Sequence, residues 1–347
     1  MKKFRSEKYR KIKKLIIKAS VLALSATVCI MSLIFTSAQK GDSEDSQTTS
    51  TEQGAFNFLV MGVDNSARLA DVIMLVSLGT KSNTMTIAQI PRDTYAEYTD
   101  SAYRKMNGAI SSLGGSRAVA DFLEQAMGIS IDHYITVDLD GLGRVVDILG
   151  GIEVNIPEDM IYSDSYQNLE IELKAGKKLL NGEEAKQFIR YRSGYLRGDI
   201  GRLDAQKLFL AALGEKMIGK SPMDLIRPVS VLISCSESDL TLYDCLFYIS
   251  KACELRASNI FFMTLPGCDV RTENGSWYYI LNRSENEKIA RKYFSGGVPT
   301  FDPMRLFTGE YSLEFNKIYD ATSGYQPMIY AADSINKSGI DIPGTKN

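Results

Sequence analysis

The sequence predicts an α/β layered domain whose central sheet is covered on both faces. Three observations carry that reading. Short apolar runs open the domain, helical apolar spacing follows them, and a strand-helix-strand succession occupies the middle of the chain. Residues 56–61 (FNFLVM) and 72–78 (VIMLVSL) suit strands buried on both faces, and residues 84–90 (TMTIAQI) alternate like a third. In residues 116–127 (SRAVADFLEQAM), Val119, Phe122, Leu123 and Met127 fall at helical spacing behind Ser116, the expected N-cap. HYITVDL, GLGRVVDILGG and IEVNIP then read as strand, helix ended by glycines, and strand, with Asp140 a candidate N-cap. The pattern from Ile200 to Met217 is again helical, and the domain runs on to about Phe294. Beyond SGGVP the residues mix Gly, Pro, Ser and Asp with scattered aromatics.

Charge and hydropathy divide the chain. With 347 residues, 44% of them hydrophobic, it is long enough for a substantial core. Residues 1–18 hold nine Lys/Arg and one Glu, a formal +8, so the remainder carries −10 against −2 for the whole. Residues 19–38 follow without a charge and match the ~20 residues of a membrane-spanning helix. The Lys/Arg bias places the N-terminus in the cytoplasm and the rest outside the cell. A cleaved signal peptide is the rival reading, with TSA (residues 36–38) as its processing site. The uncleaved anchor is favoured because signal-peptide apolar regions run only ~7–15 residues. Residues 39–54 have the small, polar composition of a flexible linker, residues 55–295 form the domain, and residues 296–347 form a C-terminal tail.

Several chemistries are excluded. His133 is the only histidine, which removes His-based triads and multi-His metal sites and leaves a structural role for that residue. Cys29 lies in the span, and Cys235, Cys245, Cys253 and Cys268 show no CxxC spacing. No GxSxG, Walker A or HExxH motif is present, and Asp138-Leu139-Asp140 reads as turn and cap chemistry. A net-negative extracytoplasmic body also argues against nucleic acid as partner.

Against that acidic background, residues 185–207 (AKQFIRYRSGYLRGDIGRLDAQK) carry six Lys/Arg and only two acids. Read as a strand, FIRYR would put Arg190 and Arg192 on one face. Arg202 and Gln206, four apart, would stack on one face at the start of the next helix, near the positive end of its dipole. Such a spot recognises phosphate or pyrophosphate. Two further strand ends share this chemistry. Asp64 closes one strand and Asp71 opens the next, with Arg68 between them, a pair able to hold Mg²⁺. In IPRDTY, Arg92 and Asp93 follow a proline that closes the third strand.

Together VMGVDN, ADVIMLVSL, IPRDTY, YRKMNGAISSLGG, IDHYITVDLDGLGRVVDILGGIEVNIP, LNGEEAKQFIRYR and RGDIGRLDAQ occur in the order found in LytR-CpsA-Psr proteins, bacterial cell-wall glycopolymer transferases. The resemblance runs from about Phe56 to Met217 and continues more weakly through MTLPG. It implies a single three-layer α/β/α domain with a central mixed sheet, preceded by one N-terminal transmembrane helix. It also implies a polyprenyl pyrophosphate carrier whose lipid enters an apolar pocket, with peptidoglycan as acceptor. By that resemblance Asp64 and Asp71 ligate Mg²⁺, and Arg92, Lys105, Arg190, Arg192, Arg202 and Gln206 surround the pyrophosphate. Arg92, Asp93, Arg190 and Arg192 are the expected catalytic groups, Asp93 as a candidate to assist deprotonation of the acceptor. The chain departs from the family pattern at Leu69, where Arg is usual and Arg68 stands one step earlier, and at Ala205, where Arg often precedes the Gln. A polyprenyl-phosphate-binding module without turnover and a pyrophosphatase that releases the polymer by hydrolysis remain the alternatives. The binding module would need the arginines but not the Asp64 and Asp71 pair, whereas the pyrophosphatase would use the same site.

Overall fold

Strand β1 (Ala55–Asp64) lies inside the sheet because its sequence is apolar toward both sides. Leu59 and Met61 are fully buried in one core cluster and Phe58 in the other. The structure is a computed structural model and describes residues 54–64, 69–97, 104–165, 169–195, 197–271, 275–294 and 329–340. Seven strands form the main sheet in the order β13 (Tyr330–Ala331), β10 (Ile260–Thr264), β3 (Thr84–Gln89), β2 (Leu69–Gly79), β1, β4 (His133–Asp138) and β9 (Ser236–Ser238). The sheet is mixed: β1 with β4 and β3 with β10 are parallel pairs, and the other four pairs are antiparallel.

Helices cover both faces, which gives the three-layer α/β arrangement. Helix α1 (Ala109–Leu113), α2 (Ser116–Met127) and α8 (Arg283–Tyr293) pack on the side of Leu59, Ile73 and Leu75. On the opposite side lie α3 (Leu139–Ile148), α4 (Gly182–Arg190), α5 (Asp199–Met217) and α9 (Ala332–Ser338), with Val146, Phe188, Phe209 and Ile335 in the core. Beside α3 run α6 (Pro222–Ser234) and α7 (Leu242–Ala252). Three hairpins complete the domain: β5 (Ile152–Ile156) with β8 (Gly176–Leu180), β6 (Met160–Asp164) with β7 (Leu169–Leu173), and β11 (Gly267–Arg271) with β12 (Trp277–Leu281). From the C-terminal tail, residues 329–340 contribute β13 and α9.

Local expectations fare unevenly. Ser116 is the first residue of α2 and not its cap; Gly115 caps it, and the buried Ser116 Oγ accepts a hydrogen bond from Thr136 Oγ1 at 2.9 Å. Asp138, not Asp140, caps α3, accepting from Asp140 N at 3.0 Å, while Asp140 pairs with Lys186 at 2.7 Å. His133 is packed between Phe58 and Tyr248, with ring centroids at 5.8 and 5.6 Å. Cys235, Cys245, Cys253 and Cys268 are free thiols. Among the described residues no helix is long and apolar enough to cross a membrane. Residues 1–53, including the expected span at 19–38, lie outside the described residues.

Candidate anion site and apolar cavity

The site begins with an irregularity in the sheet. Register pairs Gly62 with Val72 and Val63 with Ala70, so Asp71 has no partner on β1 and is the extra residue of a β-bulge. A bulge frees the inserted residue from the ladder and re-aims its side chain. Arg92 Nη1 meets Asp71 Oδ1 at 2.7 Å, and the freed Asp71 carbonyl accepts from Arg202 Nη1 at 2.8 Å. Asp64 ends β1 beside this bulge; its side chain and all of Arg68 lie outside the described residues.

Arg92 and Asp93 sit in a turn after Pro91, fixed from two sides. Asn107 N donates to Arg92 O and Tyr279 N to Asp93 O, both at 2.9 Å. Lys105 Nζ reaches Asp93 Oδ1 at 2.7 Å and stands 5.6 Å from the Tyr278 ring centroid. Arg92 is also 3.4 Å from Asp199 Oδ1 through its Nε. Burial opposes the Arg92 cation, yet Asp199, Asp71 and Asp93 together raise its pKa above the ordinary value.

The second half comes from the corner between α4 and α5, where the structure corrects one expectation. FIRYR is not a strand: α4 ends on Arg190, and Tyr191 is the first extended residue. A reciprocal capping box between Asn181 and Glu184 starts the helix, and Ala185, Phe188 and Ile189 give it a buried face at helical spacing. Arg190 is thus a helix C-terminal residue, half-buried, and Arg192 follows in the connecting segment. Gly198, at φ +54° and ψ −123°, takes a positive-φ conformation suited to glycine where α5 opens. Gly201 lets the helix approach Tyr195 so closely that a Cβ there would lie 2.5 Å from the Tyr195 Cβ.

Arg202, only 1% exposed, donates through Nε to Asp199 Oδ1 at 2.9 Å, and its Nη2 is 2.8 Å from the same oxygen. Among the described residues Arg192 has no ion pair or hydrogen bond. Its pKa is lowered, first by burial and then by the Arg92 cation; Asp71 pulls the other way, Arg202 adds to the lowering, and Asp199 opposes it least. A half-buried guanidinium close to two others favours an anionic ligand.

Gln206 lies one turn beyond Arg202 and is 2% exposed. Its Nε2 donates to Ile189 O at 3.3 Å, and its Oε1 accepts from Gln89 Nε2 at 3.5 Å. Beneath it Lys207 Nζ, fully buried, donates to Asp204 Oδ1 at 2.7 Å and Thr264 Oγ1 at 2.8 Å, while Arg197 Nη1 lies 3.6 Å from Asp204 Oδ2. On the other side of Gln206 opens an apolar cavity of about 180 Å³, walled by Val60, Met74, Val137, Phe209 and Leu213 among others. Gly62, Val72, Ile189 and Gln206 also line it. Val72 follows Asp71 and Gln206 lies one turn beyond Arg202, so the cavity wall adjoins the charged cluster at these two residues.

The structure thus gathers Asp71, Arg92, Asp93, Lys105, Arg192, Arg202 and Gln206. Sequence reasoning passed over Asp199, the carboxylate shared by Arg92 and Arg202, although its position three residues before Arg202 on one helix was a usable signal. It also passed over the buried pair Asp204–Lys207.

Comparison with known proteins agrees with this architecture. The model of the LytR_cpsA_psr family matches residues 28–295. The polyisoprenyl-teichoic acid–peptidoglycan teichoic acid transferase TagV of Bacillus subtilis (strain 168) is 32% identical over 247 residues, covering 68% of this chain and 63% of TagV. The enzyme TagU of Oceanobacillus iheyensis, which bears the same transferase description, is 29% identical over 247 residues, 69% of this chain and 75% of its own. The chain thus spans less than two thirds of TagV and three quarters of that TagU. The crystal structure of B. subtilis TagV superposes with a TM-score of 0.60 at 28% identity, covering 70% of this chain and 96% of that one. Protein gbs0355 from Streptococcus agalactiae shares the fold, with a TM-score of 0.62 at 21% identity over 72% of this chain and 91% of its own.

Proposed function

The chain belongs to the LytR-CpsA-Psr family, and on that premise we propose that it transfers a glycopolymer, with its linking phosphate, from a polyprenyl pyrophosphate carrier to a hydroxyl of peptidoglycan. The observation that carries this reading is an apolar cavity beside a guanidinium cluster in which Arg192 has no ion pair among the described residues. A lipid diphosphate has that bipolar form. The cavity is below the ~300 Å³ of pockets that enclose a whole drug-sized ligand, so it takes the head-proximal part of the lipid.

Arg92, Arg192 and Arg202 approach the diphosphate from three elements, with Lys105 beside them. Arg92 and Arg202 are already oriented by Asp71 and Asp199, so little reorganisation accompanies charge development. Arg192 supplies a fork with no ion pair among the described residues, Arg190 stands two residues before it, and Gln206 marks the boundary between head group and lipid. In this role Asp93 positions Lys105.

The donor set fits Mg²⁺. Both guanidinium contacts of the Asp71 carboxylate use Oδ1, leaving Oδ2 available, and the ligands offered are hard oxygens. Asp64 and Asp71 would hold the ion, which when bound neutralises charge on the transferred phosphoryl group. Residues 19–38 would anchor the chain, with residues 1–18 in the cytoplasm and the domain outside.

The test is turnover by the full chain of a lipid-linked oligosaccharide with peptidoglycan and Mg²⁺. Phosphodiester-linked product is expected. Release of free oligosaccharide phosphate alone would replace this reading with hydrolysis.

A further inference from the structure

The β11–β12 hairpin stands beside the anion site. Register places Asp269 opposite Tyr279 and Arg271 opposite Trp277. Opposed residues of an antiparallel pair share a face, as do residues two apart, so these four line one side of the ribbon. The inner end is fixed to the site. Tyr279 N donates to Asp93 O, Tyr279 O accepts from Tyr95 N, both at 2.9 Å, and the buried Tyr279 hydroxyl donates to Leu265 O at 3.0 Å. The outer end carries Trp277, the only tryptophan in the chain, 55% exposed. Arg271 braces it, with the guanidinium 5.7 Å from the Trp277 ring centroid and Nε donating to Gly275 O at 3.4 Å.

Between these ends Asp269 is exposed to solvent. Asp71, Asp93 and Asp199 are held by Arg92, Lys105 and Arg202, whereas among the described residues Asp269 has neither an ion pair nor a hydrogen bond. The surrounding chain raises its pKa by desolvation, and Asp199 and Asp93 raise it further against the opposing Arg197. The Asp269 carboxylate, with Asp199 and Asp93 adding negative charge beside it, disfavours an anionic group, so the occupant of this face is neutral where it meets Asp269. A flat exposed indole suits the C–H face of a pyranose. Two residues of strand separate Trp277 from Asp269, about 7 Å, on the scale of one sugar unit.

We propose that this hairpin face is the acceptor subsite: Trp277, braced by Arg271, stacks on a pyranose ring of the glycan strand, and Asp269 receives the proton of the neighbouring acceptor hydroxyl. In the step, that hydroxyl oxygen forms a bond to the sugar-side phosphorus and its proton passes to the Asp269 carboxylate. The bridging P–O bond breaks, and the lipid monophosphate leaves with the electron pair. The inference rests on the transferase reading above.

The experiment uses the full chain in proteoliposomes with a lipid-linked oligosaccharide donor and soluble peptidoglycan oligosaccharides as acceptors. Trp277→Ala should raise the acceptor KM about tenfold, the size of a lost aromatic stacking contact, with lipid-donor affinity measured by direct binding within about twofold of wild type. Trp277→Phe should recover most of the loss. Asp269→Asn should lower kcat by about 100-fold or more and abolish the acid limb of the rate profile. The groups facing Asp269 are Asp93 of the turn, Asp199 of α5, Arg197 of the preceding segment and Arg271 of its own hairpin. Since only the carboxylate accepts a proton, wild-type activity should fall as pH drops through its raised pKa. An unchanged acceptor KM in Trp277→Ala, or a retained acid limb in Asp269→Asn, overturns the subsite while leaving the transferase reading intact. A wild-type chain that neither binds nor cleaves the lipid donor overturns both.

Discussion

Arg92 and Asp71 meet at 2.7 Å although one follows β3 and the other is the bulged residue of β2. That contact joins two strand ends into one charged surface, and Arg202 completes it from α5 through the Asp71 carbonyl. Replacing Asp71 should therefore affect catalysis through both arginine placement and cation binding. Asp71→Asn is expected to lower transfer by about 100-fold and to shift the Mg²⁺ titration to higher concentration; an unshifted titration would remove Asp71 from the ion's ligand set.

Arg202 holds the site together as well as charging it. Arg202→Ala leaves the carboxylate of Asp199 without its closest partner in a protected position, and removal of one member of a buried ion pair costs about 3–5 kcal/mol. Denaturant unfolding should show a loss of that order. Arg202→Lys should retain part of the stability but not the two-pronged grip on Asp199.

Cavity residues should separate lipid recognition from folding. Leu213→Trp places a larger apolar side chain on the cavity wall and should weaken binding of polyprenyl pyrophosphate by at least about tenfold. Thermal unfolding within a few degrees of wild type would show that the loss comes from occupancy of the cavity.

How far the sequence foretold this arrangement depended on the range of each interaction. Strands β1 to β3 were legible because doubly buried strands are written as short apolar runs. FIRYR misled because Arg190 and Arg192 alternate locally, while the signals for helix, the Asn181–Glu184 box and the spacing of Ala185, Phe188 and Ile189, begin upstream of that window. Motif order pointed to Arg92, Arg192 and Arg202, which the fold brings around Asp71 and Asp199. Neither the bulge at Asp71 nor the arrival of Asp269 from a distant hairpin is written in local pattern, since each exists only once strands are in register.

Alkaline stability provides a further check. Tyr195 and Tyr248 both have raised pKa values, chiefly from burial, so each holds its proton more firmly when folded than when unfolded. The folded state then binds more protons above the ordinary tyrosine value of about 10, and stability must fall as pH rises past it. Because the buried Tyr195 hydroxyl has no hydrogen-bond partner among the described residues, Tyr195→Phe should be neutral or slightly stabilising at pH 7 and should flatten the alkaline decline. An unaltered slope in urea melts between about pH 9 and 11 would show that Tyr195 titrates normally.

The most direct test of the account is equilibrium binding of a short-chain polyprenyl pyrophosphate to the full chain, wild type against Arg192→Ala, with Arg92 and Arg202 intact. Because Arg192 has no ion pair or hydrogen bond among the described residues, the account predicts a loss of affinity of about 100-fold, with Arg192→Lys recovering only part. Affinity within twofold of wild type in Arg192→Ala would contradict it.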